Sequence, residues 1–212
     1  VISPSLSSKN DICRYFDYPS KNISVIWNGI NLDDCKFHQR ESFNANFVTI
    51  ISADVPMKNL KTVLKALYLL KQDGLNAKLT ILGDLREDNK KLIDRLGLTK
   101  EITYKSKLPR KQLIQALNNA DIGIAPSEYE GFGFPLVEMI ATGLPVIVSD
   151  KASLPELAGK AGLIFNSDDS NELKEKMKEL VENKTLRNKV TENSKLRRDD
   201  FFGWDEYAKK LE

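Results

Sequence analysis

Short runs of β-branched and other apolar residues alternate along the chain with longer segments in which apolar side chains recur every three to four positions. The runs predict strands at 23–27, 47–52, 78–82, 101–104, 122–125, 146–149 and 163–165. The segments between them predict helices at 59–71, 88–96, 110–118, 135–141, 154–158 and 171–182. Apolar strands alternating with helices call for a parallel sheet covered on both faces, so the expected fold class is α/β with a Rossmann-like sheet. In such a sheet the ligand crevice opens at the carboxyl ends of the strands. Chemistry is therefore expected on the loops after Ile51, Leu82, Tyr104 and Ala125.

The ends of the chain depart from this alternation. Residues 1–21 hold Ser3-Pro4-Ser5 and then an amphipathic stretch from Asp11 to Phe16. Asn28-Gly29 opens a polar passage that reaches Asn46 and reads as a turn or linker. Residues 183–200 form a highly charged helical surface, and Phe201-Phe202-Gly203-Trp204 follows. That aromatic cluster needs cover, either from this chain's own surface or from a neighbour.

Two glutamates eight residues apart, Glu130 and Glu138, bracket Gly131-Phe132-Gly133-Phe134-Pro135-Leu136-Val137. Pro135 suits the first turn of a helix, where its absent N–H is no loss. Gly143 suits the end of that helix. Glu130 then sits on a glycine-loosened loop after a strand, and Glu138 about one turn into the next helix. Loop N–H groups and a helix N-terminus facing one space make a seat for a phosphate. Two carboxylates beside such a seat accept hydrogen bonds from hydroxyls instead. A ligand with both phosphate and vicinal hydroxyls is a nucleotide or a nucleotide-sugar.

Composition narrows the classes. A net charge of +2 across 212 residues gives no field that points to nucleic acid or a membrane surface. Two distant cysteines, Cys13 and Cys35, and a single histidine, His38 on what reads as a solvated loop, argue against a metal site or a disulfide framework. No apolar run approaches the roughly 20 residues that cross a bilayer. The expectation is a soluble, cytoplasmic protein.

With these residues in view, the chain resembles the C-terminal, donor-binding half of a retaining glycosyltransferase of family 4, which has the GT-B fold. The resemblance spans nearly all of the chain. Ile23-Ser24-Val25-Ile26-Trp27-Asn28-Gly29-Ile30-Asn31 resembles the junction strand where the family's two domains meet. Val55-Pro56-Met57-Lys58-Asn59 is similar to the loop that brings a lysine to the diphosphate, and Leu82-Gly83-Asp84 to the turn after the next strand. The stretch from Glu130 to Glu138 matches the E-x7-E signature; Gly143-Leu144-Pro145-Val146-Ile147 and Leu154-Pro155-Glu156 follow it. Phe201 to Tyr207 is similar to the aromatic helix that returns to the N-terminal domain. No one of these elements is specific alone; their order and spacing are.

The resemblance implies a catalytic role for Glu130, which would hold the donor hexose, and ribose contacts for Glu138. It implies donor binding by Lys58, Gly83, Lys107, Leu108, Gly131, Phe132, Gly133, Phe134, Pro135 and Leu136, with the N–H groups around Gly133 and Phe134 meeting the phosphates and Lys107-Leu108 near the base. It implies transfer with retained configuration, with no metal and no cofactor beyond the nucleoside-diphosphate sugar. The implied division is 1–27 as the trailing segment of an N-terminal acceptor domain or the first strand and helix of this one, 28–200 as the donor domain, and 201–212 as the returning helix. The acceptor domain would be the partner, with peripheral membrane contact through it and no nucleic acid; this chain alone would be inactive.

One departure stands out. The family places an arginine just before the lysine, whereas positions 48–57 contain neither Lys nor Arg, and Ala53 and Asp54 occupy the region. A non-catalytic nucleotide-binding module and a GT-B-like sugar-nucleotide epimerase stay open as alternatives; a phosphorylase would need a lysine for pyridoxal phosphate that the sequence does not single out. Gly131-x-Gly133 with Asp150 about twenty residues on imitates a dinucleotide fingerprint. Leu136 at the third glycine position, Pro135, and the motif's late place in the chain count against a dehydrogenase.

Overall fold

The structure, a computed structural model, describes residues 1–38, 40, 42–51 and 55–212. The chain starts with β1 (Ile2–Ser3), α1 (Leu6–Phe16) and β2 (Ser24–Val25). It continues through β3 (Asn46–Ile50), α2 (Leu60–Gln72), β4 (Lys78–Leu82), α3 (Glu87–Arg95), β5 (Ile102–Lys105), α4 (Arg110–Asn118) and β6 (Ile122–Ala125). Then come α5 (Phe134–Ala141), β7 (Val146–Ser149), α6 (Leu154–Ala158), β8 (Gly162–Phe165), α7 (Ser170–Glu182), α8 (Lys184–Arg198) and α9 (Trp204–Leu211).

Six strands form one sheet in the order β5-β4-β3-β6-β7-β8, every neighbouring pair parallel. The chain enters at β3, winds outward to β5, returns to β6 beside β3 and winds out the other way. The strand order reverses between β3 and β6, which places a topological switch point there and opens a crevice beyond their carboxyl ends.

Both faces of the sheet are covered. Every residue of β6 and β7 is buried, which is why those strands read as unbroken apolar runs. Phe47, Ile81 and Ile147 point into one core with α2 and α7, while Val48, Leu82 and Val148 point into the other with α5 and α6. On α2, Leu60, Val63, Leu64, Leu67 and Leu70 are buried, one stripe at helical spacing. Where β4 ends, Gly83 has φ +145°, and a Cβ there would stand 1.8 Å from the carbonyl oxygen of Ile51. Only glycine lets β4 run that close to β3.

The strand expected at 23–27 is a two-residue pair instead: β2 is parallel to β1 and lies outside the main sheet. Its partner is itself two residues long, so the ladder cannot extend, and Trp27 turns its indole N–H to Glu156 Oε1 at 2.8 Å. The amphipathic stretch expected from Asp11 begins earlier, at Leu6, because Ser5 caps the helix by accepting from the N–H of Ser8. The polar passage after Asn28 carries no strand or helix among its described residues until β3 begins at Asn46, yet Ile30 and Cys35 within it are buried in the core. Ser52, Ala53 and Asp54, the end of the expected 47–52 strand and the region of the absent arginine, lie outside the described residues.

The aromatic cluster near the C-terminus packs on this chain. Phe201 is buried with its ring 5.7 Å from that of Trp27, and the Trp204 ring stands 6.3 Å from Phe134. A Cβ on Gly29 would come within 2.8 Å of the Trp204 Cα, so α9 begins in direct contact with the residues after β2. Among the described residues no helix is long and apolar enough to cross a membrane.

Candidate functional site

The loop between β6 and α5 lies at the switch point, and its backbone is tied from several sides. Ser153 Oγ donates to the carbonyls of Glu130 and Phe132, and Ser149 Oγ to that of Ser127. The Gly131 carbonyl accepts two hydroxyls from the start of the chain, Ser5 Oγ at 2.7 Å and Ser8 Oγ at 3.0 Å. The N–H of Glu128 donates to the Met57 carbonyl at 2.8 Å, joining this loop to the one after β3. Ties of this kind hold a loop in one conformation, as a binding site requires.

Gly133 ends the loop with φ +109° and caps α5. Its carbonyl accepts from the N–H of Leu136 and Val137. Pro135 has no N–H, so the first turn of α5 offers the N–H of Phe134 to a ligand. The phenyl of Phe132 is buried and meets the half-exposed ring of Phe134 edge to face at 5.2 Å.

Each glutamate is paired with a cation from another element at the same edge of the sheet. Lys58, at the end of a 3-10 turn before α2, donates from Nζ to Glu130 Oε1 at 2.6 Å, and Ser127 Oγ donates to the same oxygen at 2.9 Å. Arg110, the first residue of α4, donates from Nη1 to Glu138 Oε1. Both carboxylates are largely sheltered, with side-chain exposures of 17% and 15%. Burial opposes the Arg110 charge, but the hydrogen bond and charge of Glu138 outweigh it, and its proton is held above the usual arginine value.

The remaining residues singled out in the sequence fall along the same carboxyl edge of the sheet. Gly83 follows β4, its N–H donating to the Lys105 carbonyl at 2.8 Å. Lys107 is exposed with φ +51°, and Leu108 packs against the core below α4 and α5. Gly131 has open space around it, a Cβ meeting only Ser8 Oγ at 3.7 Å. Leu136 differs: its side chain is fully buried and its N–H is used by Gly133, so it supports the site from within the core. Among the described residues no three His, Cys, Asp or Glu side chains gather as metal ligands would.

A cleft of about 510 Å³ lies at the opposite end of the sheet, lined in part by Arg40, Asp121 and Arg187. Its guanidiniums are already engaged. Arg40 donates to the carbonyls of His38, Leu117, Ala120 and Gly143, and Arg187 to those of Leu180 and Val181. That cleft is a structural seam between elements of the fold.

The family model for glycosyl transferases group 1 matches residues 34–197, most of the chain, including all six strands of the main sheet and the loops that follow them. The chain belongs to that family. It is similar to the MMP alpha-(1->4)-mannosyltransferase of Mycolicibacterium hassiacum, 28% identical over 98% of this chain and 51% of that protein. It is also similar to O-antigen chain mannosyltransferase B of Escherichia coli, 29% identical over 80% of this chain and 48% of the other. Among solved structures, Anabaena Alr3699/HepE in complex with UDP and glucose superposes with a TM-score of 0.87 at 18% identity, covering all of this chain and 61% of that one. The chain thus spans about half the length of the curated relatives named here. Its fold is the Rossmann-like half of a GT-B glycosyltransferase.

In this member of the group 1 family, nothing in the local pattern marks Arg110, Ser5, Ser8 or Ser153 as neighbours of the two glutamates. Arg110 reads as an ordinary first residue of a helix. Its position after β5, on the carboxyl edge, is the signal that could have found it. Glu156, in the Leu154-Pro155-Glu156 motif, takes a structural role: its carboxylate accepts from Trp27 Nε1 and from the N–H of Leu6, fastening the first residues to α6.

Proposed function

We propose that this chain is the donor-binding half of a retaining hexosyltransferase, which moves a hexose from a nucleoside-diphosphate sugar to a glycan, lipid or other acceptor. The observation that carries the reading is the meeting of Lys58 and Glu130 at the switch point, beside the N-terminus of α5. A cation, a helix end and two sheltered carboxylates on one edge suit a ligand that bears both phosphates and hydroxyls.

In the donor complex the diphosphate lies between Lys58 Nζ and the N–H groups of Gly133 and Phe134. The ribose hydroxyls donate to Glu138 and the hexose hydroxyls to Glu130. The bond from the anomeric carbon to phosphate breaks with its electron pair passing to the phosphate oxygen. Lys58 and the helix end favour the charge that develops there, and Glu130 favours the positive character of the sugar ring. The acceptor hydroxyl bonds through its oxygen on the face that the diphosphate leaves, its proton passing to the departing phosphate oxygen, so configuration is retained. Fixed positive groups supply what a divalent metal supplies elsewhere, and no metal is needed.

UDP and glucose bound to Alr3699/HepE support a nucleotide-sugar donor, and the two mannosyltransferase relatives make mannose the first sugar to test. The acceptor is held by a second domain, with which this half forms the complete enzyme. Free thiols at Cys13 and Cys35 suit a reducing, cytoplasmic setting. Calorimetric titration with UDP, GDP, ADP and their hexose conjugates, in chelator, tests the reading. Binding of at least one is expected; binding only on addition of Mg²⁺ or Mn²⁺, or none at all, would overturn it.

A further inference from the structure

Glu138 does not stand alone at the donor edge. Arg110 engages all three nitrogens of its guanidinium: Nη1 donates to Glu138 Oε1, Nη2 to Cys35 Sγ at 3.3 Å, and Nε to Asp34 Oδ2 at 3.4 Å. Asp34 Oδ2 in turn accepts from Asn31 Nδ2 at 2.8 Å. The irregular passage after β2 and the connection after β5 thus converge on one carboxylate in α5. The anchor is firm, because Cys35 is fully buried. A planar fork that reaches three acceptors fixes a direction as well as a charge, which a lysine cannot do.

The arrangement leaves Glu138 a defined offer to a ligand. Arg110 occupies one position at Oε1, so Oε2 and the other lone pair of Oε1 remain as acceptors for hydroxyl groups. A glutamate held by such a partner has its rotamer chosen before the ligand arrives, and binding need not freeze it.

We propose that Arg110 is a positioning residue for nucleotide recognition: it orients Glu138 toward the vicinal hydroxyls of a ribose and so sets the preference of the site for ribonucleotides. This rests on the reading of Glu138 as the ribose acceptor. Arg110 acts through Glu138, and its effect should vanish when the ligand has no hydroxyls for Glu138 to accept from.

The test titrates the 212-residue chain with UDP, GDP and ADP, and with the 2′,3′-dideoxy counterpart of whichever binds most tightly. The parent should favour the ribo form by about tenfold or more, the scale of one charge-assisted hydrogen bond. Arg110→Ala should bring the two ligands within about twofold of each other, leaving affinity for the dideoxy form nearly unchanged. Arg110→Lys keeps the charge without the fork and should lose the preference as well. The readout is a ratio of two ligands on one variant, so partial unfolding cancels. Equal weakening of both ligands by Arg110→Ala, or full preference in Arg110→Lys, would overturn the positioning role while the donor-site reading stands. Failure of the parent to bind any of the three diphosphates would overturn the donor-site reading, and this role with it.

Discussion

Lys58 and Glu130 lie 72 residues apart in the chain and meet at 2.6 Å across the point where the strand order reverses. The cation assigned to the donor diphosphate therefore rests on the carboxylate assigned to the donor hexose. In the proposed donor complex two ligand contacts replace this one ion pair, and without a ligand the two groups hold each other in place. Glu130→Gln keeps the shape and removes the charge. In the complete enzyme it should lower kcat by about a hundredfold or more, the scale of one lost electrostatic stabiliser. In this domain it releases Lys58, so affinity for a bare nucleoside diphosphate should hold or rise. Lower affinity with normal turnover at saturating donor would reverse the two roles.

Glu138→Ala removes the acceptor that Arg110 holds. Hydrogen bonds to a charged group contribute about 1.5–3 kcal/mol each, so ribonucleotide affinity should fall about tenfold or more. Calorimetry of parent and variant with the same nucleotide checks this. Unchanged affinity would remove Glu138 from the ribose.

Gly83→Ala tests the tight crossing at the end of β4. The new Cβ would overlap the Ile51 carbonyl, 1.8 Å away, at a φ of +145° that side chains rarely adopt. The backbone must shift, and a loss of at least about 2 kcal/mol is expected. For a domain of this size that lowers the melting temperature by about 4 °C or more. A melting curve that matches the parent's would show that the β3–β4 edge yields easily.

Stability in alkali should depend on Cys35. Burial pushes its thiol from the ordinary 9.0 up to about 11, because the folded core disfavours the thiolate. The unfolded chain ionises first, so this contribution is complete below pH 9 and is lost as the pH rises toward 11. The loss should reach about 2–3 kcal/mol by the upper end. Urea unfolding of the parent and of Cys35→Ala across that range separates it from the titration of other groups. The two should converge as the pH rises; parallel curves would show that the thiol stays solvated.

The elements that the pattern of apolar residues located to the residue, β4, β6 and β7 with α4 and α6, owe this to local causes. Their apolar runs and stripes are continuous, and a proline or glycine marks an edge of most of them. The pattern failed at 23–27, where whether a β-branched run becomes a strand depends on the length of its partner, which periodicity does not carry. The site divides in the same way. Glu130, Glu138 and Lys58 were legible as residues on loops and a helix end at the carboxyl edge. Their pairings and ties were not, because the Lys58–Glu130 and Arg110–Glu138 contacts span 72 and 28 residues. The links from Ser5 and Ser8 to Gly131 are longer still, at 126 and 123. Contacts of that reach leave no mark on the spacing of neighbours.

Those last two links change what the opening residues are. Helix α1 buries no side chain, and Tyr15 and Phe16 near its end lie largely in solvent, so by packing alone it is expendable. Yet its N-cap and its first turn carry the two hydroxyls that hold the carbonyl of Gly131, the residue next to Glu130. A shortened chain that begins at β2 would keep the whole six-stranded sheet and lose two of the ties on the loop that carries Glu130. Such a protein would fold around the same sheet and bind poorly. Trimming would damage the site without touching any residue that faces the ligand.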